Sequence, residues 1–353
     1  MSGARLHVML GAGGVGKTTL AAGYALALAR AGGRVGLLGI DPSRRLQGAL
    51  GLELPELEVR VPGAGELRAA LLRPEDSMRR WAAEACTDPD ARARLLANVF
   101  FLALADRLAA ASDLLAAVRV AEWAERDPEM TDLVVDTAPG LNAIEFLRRP
   151  RSLAAFLEGR LVRWLRWTAR SEKRGSFSQV LRGGARRVVG GLDKIGGTRM
   201  LLELAEFLSL VEALVSRMLD RVAKAQAWIA DPSTSLLLVT AVRDDAAETA
   251  GELAAALATL KLAPRAAVVN RALPVELGPE LDRLEDASLA PEAIPLVRYA
   301  RAYAEIQSRV ISSVAPLAPT VAVVPASRGL SDEARLDALA ALGEHLRAAL
   351  IGR

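Results

Sequence analysis

The sequence has few residues that bind metals or form redox centres: one cysteine, Cys86, and two histidines, His7 and His345, in 353 residues. A single cysteine excludes an intramolecular disulfide and any Cys-x-x-Cys metal or redox pair. Two histidines also argue against a multi-histidine metal site. We therefore expect no zinc site and no metalloid site built from several thiols within one chain.

Long apolar runs are also missing, although 52% of the residues are hydrophobic and the mean hydropathy is +0.22. The run at 99–105 stops at Asp106, and the run at 235–242 has the length of a strand. Neither approaches the roughly 20 residues of a membrane span. A strand pattern starts almost at once, so we expect no signal peptide. We expect a cytoplasmic protein with a large buried core.

Charge is concentrated in one stretch, because the whole chain carries only +3 while residues 148–187 carry +10. A modest total charge makes nucleic acid an improbable partner despite the sequence pI of about 9.3. Trp164 and Trp167 are interleaved with the arginines of the basic stretch. A solvated helix with an inward aromatic side is the favoured interpretation, and a surface for acidic lipid, nucleic acid or a charged partner is the alternative.

Residues 11–18, Gly-Ala-Gly-Gly-Val-Gly-Lys-Thr, match the phosphate-binding loop G-x-x-x-x-G-K-[ST] without a mismatch. A strand pattern precedes them at 6–10 and a helix pattern follows at 20–30, so backbone N–H groups and a helix N-terminus point at one spot. We expect Lys17 to reach the β- and γ-phosphates of ATP and Thr18 to ligate Mg²⁺. The alternative is a turn that binds nothing, which the complete motif disfavours. The expected nucleotide contacts of this loop are Gly11, Gly13, Gly14, Val15, Gly16, Lys17, Thr18 and Thr19.

Two further buried strands are predicted to end in an aspartate. The strand at 34–40 runs into Asp41, which is either a ligand-site carboxylate or a turn residue before Pro42; the local sequence leaves both open. The strand at 131–136 ends in Asp136, the pattern of a carboxylate that holds magnesium through water in phosphate-loop ATPases.

The remaining pattern predicts an α/β protein with a doubly wound, mainly parallel sheet. Further strands are expected at 57–61, 235–240, 266–269 and 320–324, and helices at 246–260 and 332–350. An amphipathic helix at 201–220 has an apolar face that suits helix packing and, less often, an apolar client. We expect one domain, 1–353, with helical insertions at 66–125 and 151–230.

In this order, the motifs resemble those of the ArsA-type anion-transporting ATPases, over nearly the whole chain. That family includes the arsenite-pump ATPase and the ATPase that targets tail-anchored membrane proteins. It belongs to the SIMIBI group of P-loop proteins with ParA, MinD and nitrogenase iron protein. The resemblance rests on residues 11–19, 40–46, 136–139, 268–274 and 323–325. Within the family, the chain is especially similar to the bacterial single-domain members.

The resemblance implies a role for each of several residues. Asp41 becomes the switch I carboxylate that activates the attacking water, and Asp136 the magnesium-site aspartate. Pro139-Gly140 begins switch II, which senses the γ-phosphate. Asn270 is similar to the family's adenine-recognising asparagine, whose amide suits the adenine edge; Arg271 and Pro325 are expected beside it. The resemblance also implies a dimer that holds nucleotide near its interface.

The chain departs from this family in three places. Ala12 stands where the family has a signature lysine that reaches the partner's nucleotide. Gly140 and Asn142 stand where switch II commonly has Thr and His. Cys86 alone can build neither the thiol arsenite site nor the Cys-x-x-Cys zinc site, so we reject arsenite as a ligand.

Three functions are compatible with these observations. The leading hypothesis is a Mg-ATP-dependent ATPase that acts as a dimeric switch for an unidentified client, by resemblance one related to membrane proteins. The second is a hydrolysis-poor nucleotide-binding subunit, paired in a heterodimer with a homologue that has the signature lysine. The third is a ParA- or MinD-like positioning ATPase, suggested by the basic stretch.

Overall fold

The structure is a computed structural model that describes residues 3–41, 44–86, 88–109, 112–141, 216–274, 277–284, 290–326 and 335–351, with single residues at 144, 147, 207 and 214. Its strands are β1 (Arg5–Gly11), β2 (Val35–Gly39), β3 (Val59–Arg60), β4 (Leu67–Leu71), β5 (Asp132–Asp136), β6 (Ser235–Ala241), β7 (Ala266–Ala272) and β8 (Val321–Pro325). Its helices are α1 (Lys17–Arg30), α2 (Arg45–Leu50), α3 (Pro74–Ala85), α4 (Pro89–Ala97), α5 (Val99–Ala109), α6 (Ser112–Arg126), α7 (216–229), α8 (Asp244–Thr259), α9 (Leu277–Arg283), α10 (Ile294–Val314) and α11 (Arg335–Ile351).

The chain divides into two compact units. The sheet unit consists of residues 1–72, 123–147 and 228–353, and the helical unit of residues 73–122 and 148–227. Within the described part, the strands of the sheet unit form one sheet in the order β3-β4-β2-β5-β1-β6-β7-β8. All neighbouring strands are parallel except β3 and β4. The predicted α/β fold with a mainly parallel sheet is confirmed.

Both faces of this sheet are covered, which explains the continuous apolar strands. Along β7, Ala266 and Val268 contribute to the core that includes α1 and α11. The alternate residues Ala267 and Val269 contribute to a second core with α8 and α10. Because successive side chains of a strand point to opposite faces, an apolar residue is needed at every position.

Helices α1 and α11 pack backbone to backbone at a pair of glycines. A Cβ on Gly343 would lie 1.9 Å from the carbonyl oxygen of Gly23, and a Cβ on Gly23 would lie 2.4 Å from the carbonyl oxygen of Leu339. Leu339 and Leu346 of α11 are fully buried in the same core as Leu20 of α1. The expected closing helix is therefore a core helix, and it holds the helix that follows the phosphate-binding loop.

Residues 67–71, which the sequence analysis assigned to a helical region, form β4 instead. This five-residue run is buried except at the half-buried Arg68, and it pairs in parallel with β2. A short apolar run has the same pattern in a buried strand and in a buried helix, so periodicity alone does not separate them. The expected strand at 57–61 is confirmed only as the two-residue β3. The long helix α10 was not predicted at all.

The helical unit has a buried ionic cluster of its own. Glu122 accepts hydrogen bonds from Arg80, from the Trp81 indole at 3.1 Å and from Arg119 at 3.4 Å. Arg119 and Glu122 are both fully buried. A buried charge whose partner is removed is strongly destabilising, so this cluster restricts which substitutions α3 and α6 tolerate.

Some expectations fall on residues outside the described part. These are the basic stretch 148–187, the switch II residue Asn142 and most of the amphipathic helix 201–220, of which only residues 207, 214 and 216–220 are described as helical. Among the described helices, none combines the length and the apolar content that a membrane crossing needs.

Candidate functional site

The parallel sheet brings the ends of three strands to one edge. In the register of the sheet, Met9 of β1 and Gly39 of β2 both pair with Asp136 at the end of β5. The phosphate-binding loop leaves β1 two residues after Met9, and Asp41 follows β2 by two residues. Ligands of open parallel sheets bind at this carboxyl edge. The fold therefore gathers Lys17, Thr18, Asp41 and Asp136 in one region.

Glycine is required at two positions of the loop. A Cβ on Gly11 would lie 2.1 Å from the carbonyl oxygen of Val239 on β6, so this position tolerates no side chain. Gly16, the N-cap residue before α1, has φ +92°, and a Cβ there would lie 2.3 Å from Nδ2 of Asn270. That Nδ2 donates a hydrogen bond of 2.8 Å to the carbonyl oxygen of Val15. The buried Asn270 amide therefore supports the loop directly, while its predicted contact with adenine stays a prediction.

Lys17 is buried at the first residue of α1. Its ammonium donates hydrogen bonds to the carbonyl oxygens of Gly11 at 3.0 Å and Ala12 at 2.9 Å. Burial lowers the pKa of Lys17, and the nearby carboxylates of Asp136 and Asp41 act in the opposite direction. Two neutral carbonyl oxygens thus hold the lysine in the loop, and the charged oxygens of a phosphate would be stronger hydrogen-bond partners.

Asp136 is the most strongly perturbed carboxyl of the site. Burial raises its pKa to about 6, although a hydrogen bond from Thr18 and the charge of Lys17 lower it. Its Oδ1 atom is buried and has no hydrogen-bond partner among the described residues. A buried carboxylate oxygen without a partner is costly, and a hydrated cation would satisfy it. Thr18 and Asp136 therefore fit Mg²⁺, with oxygen ligands of the kind this ion prefers.

A cleft of about 350 Å³ opens in front of these residues. It brings together many of the predicted site residues and adds Arg45, Ala49 and Thr137, which the sequence analysis did not single out. Asn270 and Pro325 lie at the same edge of the sheet but outside the lining, and Pro325 ends β8 opposite Ala272. The predicted site residues Gly11, Gly13, Val15 and Asp136 are also outside the lining. The lining consists of Gly14, Gly16, Lys17, Thr18, Thr19, Asp41, Arg45, Ala49, Thr137, Pro139 and Arg271.

The segment expected to begin switch II is joined to the phosphate-binding loop. The backbone N–H of Gly140 donates to the carbonyl oxygen of Gly11 at 2.8 Å. Earlier in both segments, the Thr137 hydroxyl donates a hydrogen bond of 2.6 Å to the carbonyl oxygen of Met9. The same Gly11 oxygen also accepts from Lys17. The carbonyl oxygen of Gly11 therefore joins Lys17 and the segment at Gly140.

Arg271 has an unusual backbone conformation at the end of β7. Its φ is +62°, where non-glycine residues are uncommon, and the pairing of β7 with β8 shifts register here. Helix α10 fixes this turn: the Tyr303 hydroxyl donates to the carbonyl oxygen of Arg271 at 2.6 Å, and the Gln307 side chain bonds both backbone groups of Leu273. The bulge directs an exposed arginine to the cleft, consistent with its predicted place at the nucleotide.

The missed residue Arg45 had a usable signal in the sequence. It follows Asp41 by four residues and begins a helix whose Leu46 and Leu50 are buried. A segment that leaves a strand with an aspartate and returns to the core within a few residues keeps its polar side chains at the sheet edge. Thr137, directly after Asp136, had the same kind of signal.

One of the comparisons with known proteins assigns the chain to a family. A family model described as anion-transporting ATPase, the ArsA ATPases, matches residues 4–286. The match covers the phosphate-binding loop, Asp41, Asp136 and Asn270. The comparison with curated proteins finds no match for the chain. On the extent of the family match, the chain belongs to the ArsA-type anion-transporting ATPases.

Proposed function

We propose that the chain hydrolyses Mg-ATP and acts as a dimeric nucleotide switch coupled to a client or partner protein. The observation that carries this proposal is that Lys17 and Thr18 line one cleft, and that the buried Asp136, hydrogen-bonded to Thr18, has a carboxylate oxygen without a partner among the described residues. Family membership supports nucleotide chemistry. The missing thiols argue against a metalloid ligand for this chain.

Each residue has a distinct role in the proposed reaction. The loop N–H groups and Lys17 hold the β- and γ-phosphates, and Thr18 and Asp136 are the residues that would hold Mg²⁺. When bound, Mg²⁺ neutralises charge on the phosphate oxygens. Asn270 and Arg271 lie on the side of β7, where we place the nucleoside.

Asp41 orients the attacking water and takes one of its protons. The water oxygen forms a bond to the γ-phosphorus while the bond from that phosphorus to the bridging oxygen breaks. The bridging oxygen keeps the electron pair and leaves as ADP, the other product being inorganic phosphate. Positioning and charge stabilisation supply most of the rate enhancement in such reactions.

The test is ATP binding and steady-state hydrolysis with Mg²⁺ by the parent protein and two variants. Lys17→Ala should weaken ATP binding by on the order of 100-fold, because a charge-assisted phosphate contact is lost. Asp41→Asn should keep ATP binding and lose most of the turnover. Lys224→Ala, an exposed helix lysine of the helical unit, is the matched control and should change neither quantity. Unchanged ATP affinity in Lys17→Ala contradicts the proposal.

A second candidate function is favoured by Ala12. This residue offers only a buried methyl group where the family has a lysine, so the chain could be a hydrolysis-poor subunit that needs a lysine-bearing homologue. ATP binding without turnover by the parent, followed by turnover after such a homologue is added, supports this function. A fully active homodimer counts against it.

A further inference from the structure

The loop that holds the phosphates has one cationic side chain, Lys17. In the transition state of phosphoryl transfer, charge spreads over the γ-phosphoryl oxygens and the leaving oxygen, and a second cation at that point is a large catalytic factor. Ala12 cannot supply it, since its side chain is a methyl group that is 7% exposed. If the ATPase is self-sufficient, another group must contribute this charge.

Arg45 lines the cleft together with the residues that we expect at the γ-phosphate. It lines the cleft with Lys17, Thr18 and Asp41, and it begins α2 four residues after Asp41. The helix is fixed by Leu46 and Leu50, both buried in the main core. Leu46 packs so closely on β2 that a Cβ on Gly39 would lie 2.9 Å from its Cδ2 atom. The start of α2 is therefore held at the cleft by rigid packing.

The charge of Arg45 acts on Lys17 and Asp136, the residues expected at the γ-phosphate and at Mg²⁺. It lowers the pKa of Lys17 and that of Asp136, alongside the larger effects of burial on both groups. The side chain of Arg45 is exposed, and among the described residues no hydrogen bond or ion pair holds its guanidinium. Its five donors are thus available for phosphate oxygens, which the planar guanidinium fits in pairs. Arg271 lines the same cleft from the end of β7, the side assigned to the nucleoside.

The geometry points to Arg45 as a catalytic residue that supplies, within the same chain, the positive charge that Ala12 does not. Its guanidinium binds oxygens of the γ-phosphoryl group more strongly in the transition state than in bound ATP, because charge develops there as the bond to the bridging oxygen breaks. This inference rests on the ATPase activity proposed above. It also makes a lysine-bearing partner unnecessary for hydrolysis.

The experiment compares Arg45→Ala with Arg44→Ala, its exposed neighbour, which does not line the cleft. Steady-state kinetics give kcat and KM, and titrations give the affinities for ADP alone and for ADP with aluminium fluoride, a transition-state mimic. For Arg45→Ala we expect kcat to fall on the order of 100-fold or more. The affinity for the mimic should fall in parallel, the ADP affinity should change less than about threefold, and Arg45→Lys should recover part of kcat. Arg44→Ala should behave as the parent.

Three results would overturn the inference while leaving the ATPase in place. They are a kcat of Arg45→Ala within about threefold of the parent, an equal loss of affinity for ADP and for the mimic, and an equal loss of kcat in Arg44→Ala. The second would make Arg45 a ground-state binding group. A parent protein without turnover contradicts the proposed function itself, and is recognised by the parent measurement alone.

Discussion

Replacing Asp136 by asparagine should make the nucleotide-free protein more stable at neutral pH. The pKa of Asp136 is raised from 3.8 to about 6, mainly by burial. Since each pKa unit corresponds to about 1.4 kcal/mol, the ionised carboxylate lowers the free energy of unfolding by about 3 kcal/mol. Asparagine keeps the shape and the contact with Thr18, but it has no charge to bury.

The pH dependence follows from the direction of this pKa change. Folding favours the protonated carboxyl, so the penalty is absent below pH 3.8, grows between 3.8 and about 6, and is complete above that range. Asp136→Asn should therefore exceed the parent by about 3 kcal/mol at pH 8 and by about half as much at pH 5. Urea denaturation with a chelator present measures both differences.

Two results would refute this argument. One is a variant that is no more stable than the parent at pH 8, which would mean that the carboxylate is well solvated or paired. The other is a gain of equal size at pH 5 and pH 8, which would assign the effect to packing. Adding Mg²⁺ with ADP should stabilise the parent more than the variant, because only the parent has the carboxylate that the cation satisfies.

Two further substitutions test the fold around the site. Asp132, at the start of the same strand, is buried, but hydrogen bonds from His7 and Arg5 outweigh burial and lower its pKa to about 2. Asp132→Asn should therefore lower the free energy of unfolding by about 2 kcal/mol at pH 7. In the same denaturation assay this difference should shrink as the pH falls from about 4 towards 2. Gly343→Ala would place a methyl group 1.9 Å from the Gly23 oxygen and should cost about 2 kcal/mol or more, seen as a lower Tm, whereas the control Gly251→Ala, in α8 with no atom within 4 Å, should raise the Tm slightly.

Much of the sheet was predictable because buried parallel strands are continuous apolar runs with turns at their ends. β1, β2, β5, β6, β7 and β8 follow this rule. β4 was not predicted, since its four apolar residues and Arg68, before a helical stretch, have no distinguishing period. Helix α10 has a buried face of only a few residues, including Gln307, and its arginines and tyrosines hide that face in the sequence.

At the site, the sequence predicted those residues whose chemistry is local to a motif. The loop glycines, Lys17 and Thr18 belong to one contiguous pattern, and Asp136 follows a recognisable strand. The bond from Asn270 to Val15 joins residues 255 positions apart, and only the fold reveals it. Arg45 lies four residues after Asp41, and the apolar Leu46 and Leu50 that follow it were a signal that its helix returns to the core. Only the fold shows that its side chain lines the cleft.

The close packing of α1 and α11 at Gly23 and Gly343 also determines where the chain can be truncated. The family match ends at residue 286, whereas β8 and α11 lie beyond it. A recombinant fragment that stops there would uncover the side of α1 on which Leu339 and Leu346 pack, directly behind the nucleotide loop. Such a fragment should be expressed as aggregates although it carries every catalytic motif. The segment after the family match therefore stabilises the helix that carries the nucleotide loop.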